Sequence, residues 1–277
     1  MDDEEIRGVT LHHKFHHWQL MSGTTIKVIG IILMTLDHLH QMFIAQGAPD
    51  WLNWFGRPVA SLFLFLCAEG FYYTRNKKRY LAQLLIGFLF MSVMNRLLSR
   101  YLYLEDIALI NNIFGTLLLA AFYMAMIDLI REGIREKQGG KITLALGGML
   151  FPALIAMALL FALNRADRTI LLILLFIPNL LSVEGGFILV LMGVLFYILR
   201  RYRFAQAGVV LVIGLISAFT AVPGNFQWLM VTAILPILLY NGQRGRGGKY
   251  FFYIFYPAHI YLFYIIAWLL TMQNPGF

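Results

Sequence analysis

A single cysteine, Cys67, stands in a chain of 277 residues. That excludes a disulfide framework and a zinc site built on thiolates. Charge is almost as scarce. Only 13% of the residues are charged while 60% are hydrophobic, and the mean hydropathy is +0.72. A soluble domain is usually about 45–50% apolar, so a soluble globular class is excluded. Apolar/polar alternation is missing too. The apolar runs are Leu-rich and continuous, which excludes the strands of a membrane barrel. No hydrophilic stretch is long enough for a second domain, and no internal repeat is visible. The first 23 residues are polar and carry MDDEE and HHKFHH, so they do not read as a cleavable signal peptide.

What remains is apolar length. Stretches of roughly 18 or more apolar residues recur from end to end, the signature of helices that cross a bilayer. The expectation is an all-α, polytopic membrane helical bundle with about 9–10 transmembrane helices. Spans are predicted near 24–44, 52–73, 80–98, 107–131, 142–163, 169–182, 186–200, 204–222, 226–240 and 250–272. Residues 1–23 are expected to be a polar cytoplasmic segment, and 24–277 a single transmembrane domain. The stretch PNLLSVEGG (178–186) interrupts the sixth and seventh runs with Pro178, Asn179, Glu184 and a glycine pair. Non-helical backbone at membrane depth must lie against protein or water. A broken or re-entrant element is therefore expected near 169–200, giving nine net crossings.

The net charge of +8 does not point to nucleic acid. Lys and Arg cluster in the short connections RNKKR (75–79), REGIREKQGGK (131–141), RRYR (200–203) and NGQRGRGGK (241–249). The positive-inside rule places such connections in the cytoplasm. With nine crossings, all four fall on one side together with the N-terminus.

An ionisable group at membrane depth costs several kcal/mol on insertion scales, so each one inside a span needs a reason. Asp37 and His38 close the run IKVIGIILMTLDHLHQMF. They lie about 20 Å along the helix from Thr24 at ~1.5 Å per residue. A carboxylate beside an imidazole suits general-base work. Adjacent residues point roughly 100° apart on a helix, however, so Asp37 could serve Arg57 instead. His40 lies nearer the interface and reads as an interfacial histidine. Glu69 comes one turn before the end of the second span, where it could pair with Arg75 or line a vestibule. Asn111 and Asn112 suit hydrogen bonds between helices. Pro257 should kink the last span, and His259 sits near its midplane, where it could meet His38. The N-terminal histidines His12, His13, His16 and His17 read as a solvated or interfacial segment rather than a metal site. Cys67 reads as a small buried hydrophobe.

These residues resemble the TraX family of bacterial integral membrane proteins. The matching pieces are KVIGIILMTLDHLHQMF, the segment from Gly56-Arg57 through FLFLCAEGFYYTRNKKRYLAQLL, NNIFGTLL, and NGQRGRGGKYFFYIFYPAHIYL. They appear in family order and cover well under half the chain. The sequence departs after Gly56-Arg57, reading PVASLFLF where an A-F-P-like run is expected. The family is associated with N-terminal acetylation of conjugative pilin. It looks similar to a wider group of transmembrane acyltransferases that take an acyl group from cytoplasmic acyl-CoA. By resemblance, Asp37, His38, Arg57, Glu69, Asn112, Tyr256 and His259 match family motif positions. The resemblance also implies a multi-pass protein of the bacterial inner membrane.

The resulting expectation is an acetyl-CoA or other acyl-CoA co-substrate, with no metal. Its phosphates would meet Arg75, Lys77, Lys78, Arg79, Arg244, Arg246 and Lys249, since fixed cations and a Gly-rich loop suit a polyanion. His38 would act as base or as acyl-carrying nucleophile, with Asp37, Tyr256 and His259 beside it and Arg57, Glu69 and Asn112 on the substrate side. A donor among Tyr256, Asn112 and His259 would hold the oxyanion. The acceptor would be a peptide N-terminus, an amino sugar or a glycan hydroxyl. The partners are the lipid bilayer, acyl-CoA and this acceptor, without nucleic acid, and a homo-oligomer is compatible with the sequence. Two other classes fit the same polar residues. One is a transporter or flippase, which usually shows repeat symmetry. The other is a non-catalytic assembly factor, in which the polar groups are packing glue.

Overall fold

Apolar runs at membrane depth leave the backbone one economical way to satisfy its hydrogen bonds, and helices follow. The computed structural model describes residues 20–105, 107–220 and 224–273. The four N-terminal histidines, and most of the polar segment 1–23, lie outside the described residues. The helices are α1 (Gly23–Phe43), α2 (Val59–Tyr73), α3 (Lys77–Tyr101), α4 (Ile113–Arg135) and α5 (Gly139–Asn164). They continue with α6 (Arg168–Leu174), α7 (Gly186–Ile198), α8 (Arg203–Phe219), α9 (Ile234–Leu238) and α10 (Lys249–Gln273). Short 3-10 turns at Asp50–Gly56 and Gln227–Ala233 lead into α2 and α9. The helices α1, α3, α4, α5 and α10 supply segments long and apolar enough to cross a membrane. This is an all-α helical bundle and a multi-pass membrane protein.

Helix starts coincide with polar caps. Ser22 Oγ accepts the Thr25 amide at 3.2 Å at the head of α1. Asn76 Oδ1 accepts the Arg79 amide at 2.8 Å at the head of α3. Each satisfies a donor that a helix N-terminus leaves orphaned.

A chain of contacts gathers the basic connections at one end of the bundle. Lys77 at the start of α3 pairs with Asp128 near the end of α4. Tyr197 near the end of α7 donates to the same carboxylate at 2.6 Å. Lys141 at the start of α5 pairs with Glu132 and Glu136. Arg203 at the start of α8 reaches Glu69 at 3.5 Å. The backbone of Gly23 and Thr24 bonds the carbonyls of Gln243 and Arg244 at 2.8 and 3.0 Å. At the opposite end Gln46 meets Thr271, and Trp54 meets Phe226. Between these ends the described helices run back and forth, with residues 168–198 broken into two short helices, and five of the helices are long and apolar enough to cross a membrane.

That segment is broken as its sequence requires. After α6 the backbone turns at Pro178, and Asn179 holds the turn. Its side chain accepts the amides of Leu181 and Ser182 at 3.1 and 3.0 Å and donates to the Ile177 carbonyl. Asn179 is fully buried, so this irregular backbone, exposed at Leu181 and Ser182, carries its own hydrogen-bond partner.

Helix α2 runs through the centre, packed on α1, α4 and α7. Leu62, Leu64, Phe65 and Phe71 are buried along it. Lipid is as apolar as leucine, so helix association in a bilayer rests on close contact and polar ties. Gly193 of α7 supplies such contact. A Cβ there would come within 2.9 Å of Ala120 on α4 and of Leu64 on α2.

Candidate functional site

The two histidines that the sequence sets 221 residues apart meet in the core. His38 Nδ1 lies 2.7 Å from His259 Nε2, with the rings near-parallel and their centroids 5.0 Å apart. Both residues are buried. His259 Nδ1 lies 2.7 Å from the carbonyl of Phe255, one turn earlier on α10. A carbonyl can only accept, so His259 carries its proton on Nδ1, and a neutral ring then accepts at Nε2. His38 must therefore donate from Nδ1. Its Nε2 is left with a lone pair, and the Asn111 amide nitrogen faces that atom at 3.4 Å. The network thus assigns both tautomers and leaves one basic nitrogen unprotonated.

Asp37 turns away from His38. Arg57 Nη2 donates to Asp37 Oδ1 at 3.4 Å. The guanidinium also donates to the Asn53 carbonyl and side chain and to Gln227 Oε1 at 3.2 Å. Asp37 and Arg57 therefore lock α1 to the two 3-10 turns, and the partner of His38 is a histidine rather than this carboxylate. Gly56 makes the approach possible, because a Cβ there would lie 2.1 Å from Asp37 Cγ. His40 pairs with Asp50 at 3.2 Å, beyond the site.

The polar groups around His38 come from the segment before α4 and from the broken segment 168–198. Asn111 donates to Gln41 Oε1 at 2.9 Å, and its backbone carbonyl accepts from Asn95. Its Oδ1 is buried with no hydrogen-bond partner. Flipping the amide would turn an oxygen toward the unprotonated His38 Nε2, so the orientation as described fits the tautomers. Asn112 is tied elsewhere, donating to Phe88 O and Ser92 Oγ on α3 at 3.0 and 3.1 Å. Tyr256, whose ring lies 6.2 Å from His38, accepts the Ile113 amide at 3.0 Å. It donates toward Glu184 Oε2 at 3.5 Å. That oxygen also accepts the Asn112 amide at 3.1 Å. Glu184 is exposed on its other side, so the re-entrant turn reaches the site from the surface.

A cavity of about 560 Å³ leads from the basic end toward these residues. That lies within the size of ordinary ligand pockets. Gly23, Lys27, Thr74 and Arg244 line its wide end, and Met34, Ile113 and Tyr256 its inner end. Met34 sits one turn before His38 on α1. Glu69 lines the wall and pairs with Arg203 rather than Arg75. The Arg203 guanidinium also lies 4.9 Å from each of the edge-to-face Phe65 and Tyr240 rings.

Of the predicted phosphate-binding set, Arg244 lines the cavity. Arg75, Lys78, Arg79 and Arg246 are exposed near that end without lining it. Lys77 is committed to Asp128 and stacks over Phe71. The side chain of Lys249 lies outside the described residues. The Gly-rich loop turns the carbonyls of Gln243, Arg244 and Arg246 toward the head of α1. Cys67 is buried and accepts from Tyr80 at 3.4 Å. Among the described residues, no group of three His, Cys, Asp or Glu side chains is arranged to hold a metal ion.

The family described as TraX protein matches residues 22–267, from the N-cap of α1 deep into α10. The chain belongs to the TraX family. It is also similar to a protein of Dichelobacter nodosus described as "Probable fimbrial assembly protein FimC, serogroup H1". The two are 27% identical over 260 residues, covering 87% of this chain and 93% of that protein. No solved structure matches the chain. The TraX match encloses the histidine pair, the Asp37–Arg57 lock and the whole cavity.

Three residues that stand here carry little signal in the sequence. Lys27 lines the cavity and holds its ammonium 5.2 Å over the Phe252 ring. Its signal is a lone lysine one turn inside the first apolar run. Glu184 is visible in the sequence only as part of a helix break, and Asn111 only as an interhelical amide.

Proposed function

We propose that this TraX-family protein is a membrane acyltransferase. It would take an acetyl or other acyl group from acyl-CoA at the basic end and pass it to an amine or hydroxyl acceptor that reaches His38 from the other end. The observation that carries this reading is the tautomer-assigned lone pair on His38 Nε2; His38 does not line the cavity itself, and its ring lies 6.2 Å from that of Tyr256, which does. His38 Nε2 takes a proton from the acceptor as its N or O attacks the thioester carbonyl carbon. The tetrahedral oxyanion collapses, the C–S bond breaks, and the CoA thiolate recovers the proton from His38. His259 accepts from His38 Nδ1 throughout and shares the imidazolium charge. Lys27 and Arg244 are the cations best placed for the phosphates of the donor.

The donors engaged elsewhere narrow the oxyanion role. The Asn112 amide and both nitrogens of His259 are already bonded, and the Tyr256 hydroxyl is directed at Glu184. The Asn111 amide keeps one N–H on Gln41 at 2.9 Å, and its second, aimed at His38 Nε2 at 3.4 Å, is released when the acceptor takes that place, which makes it the leading donor. Its unpartnered Oδ1 favours an amine acceptor, which can give one N–H to His38 and another to this oxygen, whereas a hydroxyl has a single proton.

The test is thermal unfolding of the purified protein with acetyl-CoA, using free adenine as the control. A ligand that binds only the folded state raises the midpoint with concentration. A dose-dependent rise that shrinks in Arg244→Glu supports the reading. No rise at millimolar acetyl-CoA in a folded sample removes it. The similarity to a protein described as a fimbrial assembly protein favours a second reading, a non-catalytic assembly factor. In that case His38→Ala would disturb complex formation or stability rather than a reaction.

A further inference from the structure

We propose that a groove between α3 and α10, on the outer face of the bundle, binds one acyl chain of an anionic membrane phospholipid whose headgroup rests on Arg79. The inference does not depend on the acyltransferase reading. Directly packed helices approach to about 8–10 Å. Helices α3 and α10 meet toward the end away from the basic connections, where Tyr261 donates to Asn95 Oδ1 at 3.0 Å and Tyr264 to the Leu102 carbonyl at 2.8 Å, and on the basic side of that contact lies a slot of about 440 Å³ between them. One wall is Gln83, Ile86, Gly87 and Phe90 of α3. The other is Tyr250, Ile254, Pro257, Ala258 and Tyr261 of α10. Each set is spaced at three and four residues, so each is a single helix face.

The floor of the slot is Phe114 and Tyr253, whose rings stack with centroids 5.7 Å apart at 14°. Both also line the central cavity. This ring pair is therefore a thin wall with the cavity on one side and the bilayer slot on the other. Ile86 and Ile254 are 67% and 66% exposed, which at membrane depth means contact with lipid. Among the described residues, no charged residue lines the slot. A third helix, about 10 Å across, needs more room than a slot floored by two rings between flanking helices. An acyl chain is slender enough.

The polarity of the slot selects the kind of lipid. The α3 face that lines it continues one turn toward the basic end to Arg79, an exposed residue with no ion pair among those described. Among the described residues, the cation on this α3 stripe thus sits at one end, beside Gln83, and the apolar walls run from there toward the midplane. That arrangement suits an amphiphile with a negative head and an apolar tail. Basic residues at a membrane surface attract anionic lipid in just this way.

The experiment is native mass spectrometry of the full chain released from nanodiscs of phosphatidylcholine, with or without phosphatidylglycerol. The expected result is one retained phosphatidylglycerol. Ala258→Phe fills the slot from an exposed position and should abolish retention of either lipid. Ile86→Phe, from the opposite wall, should do the same, so misfolding of one variant leaves the test intact. Arg79→Gln should weaken phosphatidylglycerol retention about fivefold, the weight of one surface cation, while phosphatidylcholine is unaffected. Absence of retained lipid in the wild type, or wild-type retention in both slot-filling variants, overturns the site. Unchanged preference in Arg79→Gln overturns the headgroup assignment. None of these readouts involves acyl-CoA, so they stand or fall separately from the proposed function.

Discussion

At the scale of the residue, two side chains carry most of the proposed chemistry and one glycine makes room for their surroundings. His259 touches no substrate in this scheme. It is a positioning residue that assigns the tautomer of His38. His259→Ala should lower turnover about 10²-fold or more, the usual weight of a positioned base. The KM for acyl-CoA should stay near wild type, since the cavity mouth is far from this ring. A purely structural role would move KM and thermal midpoint together. Gly56 is a different case. Gly56→Ala places a methyl group inside the Asp37 carboxylate, so either the carboxylate or the 3-10 turn must move. Overpacking of this kind costs about 1–3 kcal/mol. Thermal unfolding should show the drop, and an unchanged midpoint would mean that the Asp37–Arg57 lock is looser than described.

At the scale of the element, the head of α1 and the re-entrant turn are held by local devices. The loop 241–246 bonds Gly23 and Thr24 through its carbonyls. Gly245 supports that loop with a φ of +75°, and a Cβ there would lie 2.4 Å from Ser22 Oγ. Gly245→Ala should detach the loop, and amide exchange at Gly23–Thr25 should accelerate while the centre of α1 keeps its protection. Asn179 offers a parallel test in the broken segment. Asn179→Ala strands two backbone amides, each worth about 1–3 kcal/mol if left unpaired and buried. The midpoint should fall, and the Glu184 contacts to Asn112 and Tyr256 should loosen with it.

At the scale of the whole molecule, the prediction concerns sidedness. The four basic connections share one end of the bundle, as the positive-inside rule requires of a single compartment. On a Cys67→Ser background, single cysteines at Lys78, Lys137, Arg201 and Arg246 should all react with an impermeant reagent from the cytoplasmic face. A cysteine at Trp51 should react from the other face. If these four positions split between faces, the nine-crossing topology is wrong, and the path of residues 168–198 is the first place to look.

How much was legible depends on the range of the interaction. The helices were legible because apolar length is a local property, and the structure adds the caps at Ser22 and Asn76. The break near 178–186 was legible because Pro178, Asn179 and a glycine pair fall close together, and each favours a turn over a helix interior. The Asp37–Arg57 pair could be guessed from matching depths across one short loop. Other pairings were not determined locally. Glu69 found Arg203 rather than nearby Arg75, because helix α8 packs its basic start against the end of α2. Asn111 outranks Asn112 beside His38 because the chain enters α4 with one amide facing α1 and the other facing α3. The sequence by itself determined that this protein is a bundle of membrane helices with its basic connections at one end and a few ionisable groups at depth. Only the tertiary structure decided which of those groups touch. His38 and His259 are joined by packing across 221 residues of chain, and no periodicity or spacing records a contact of that range.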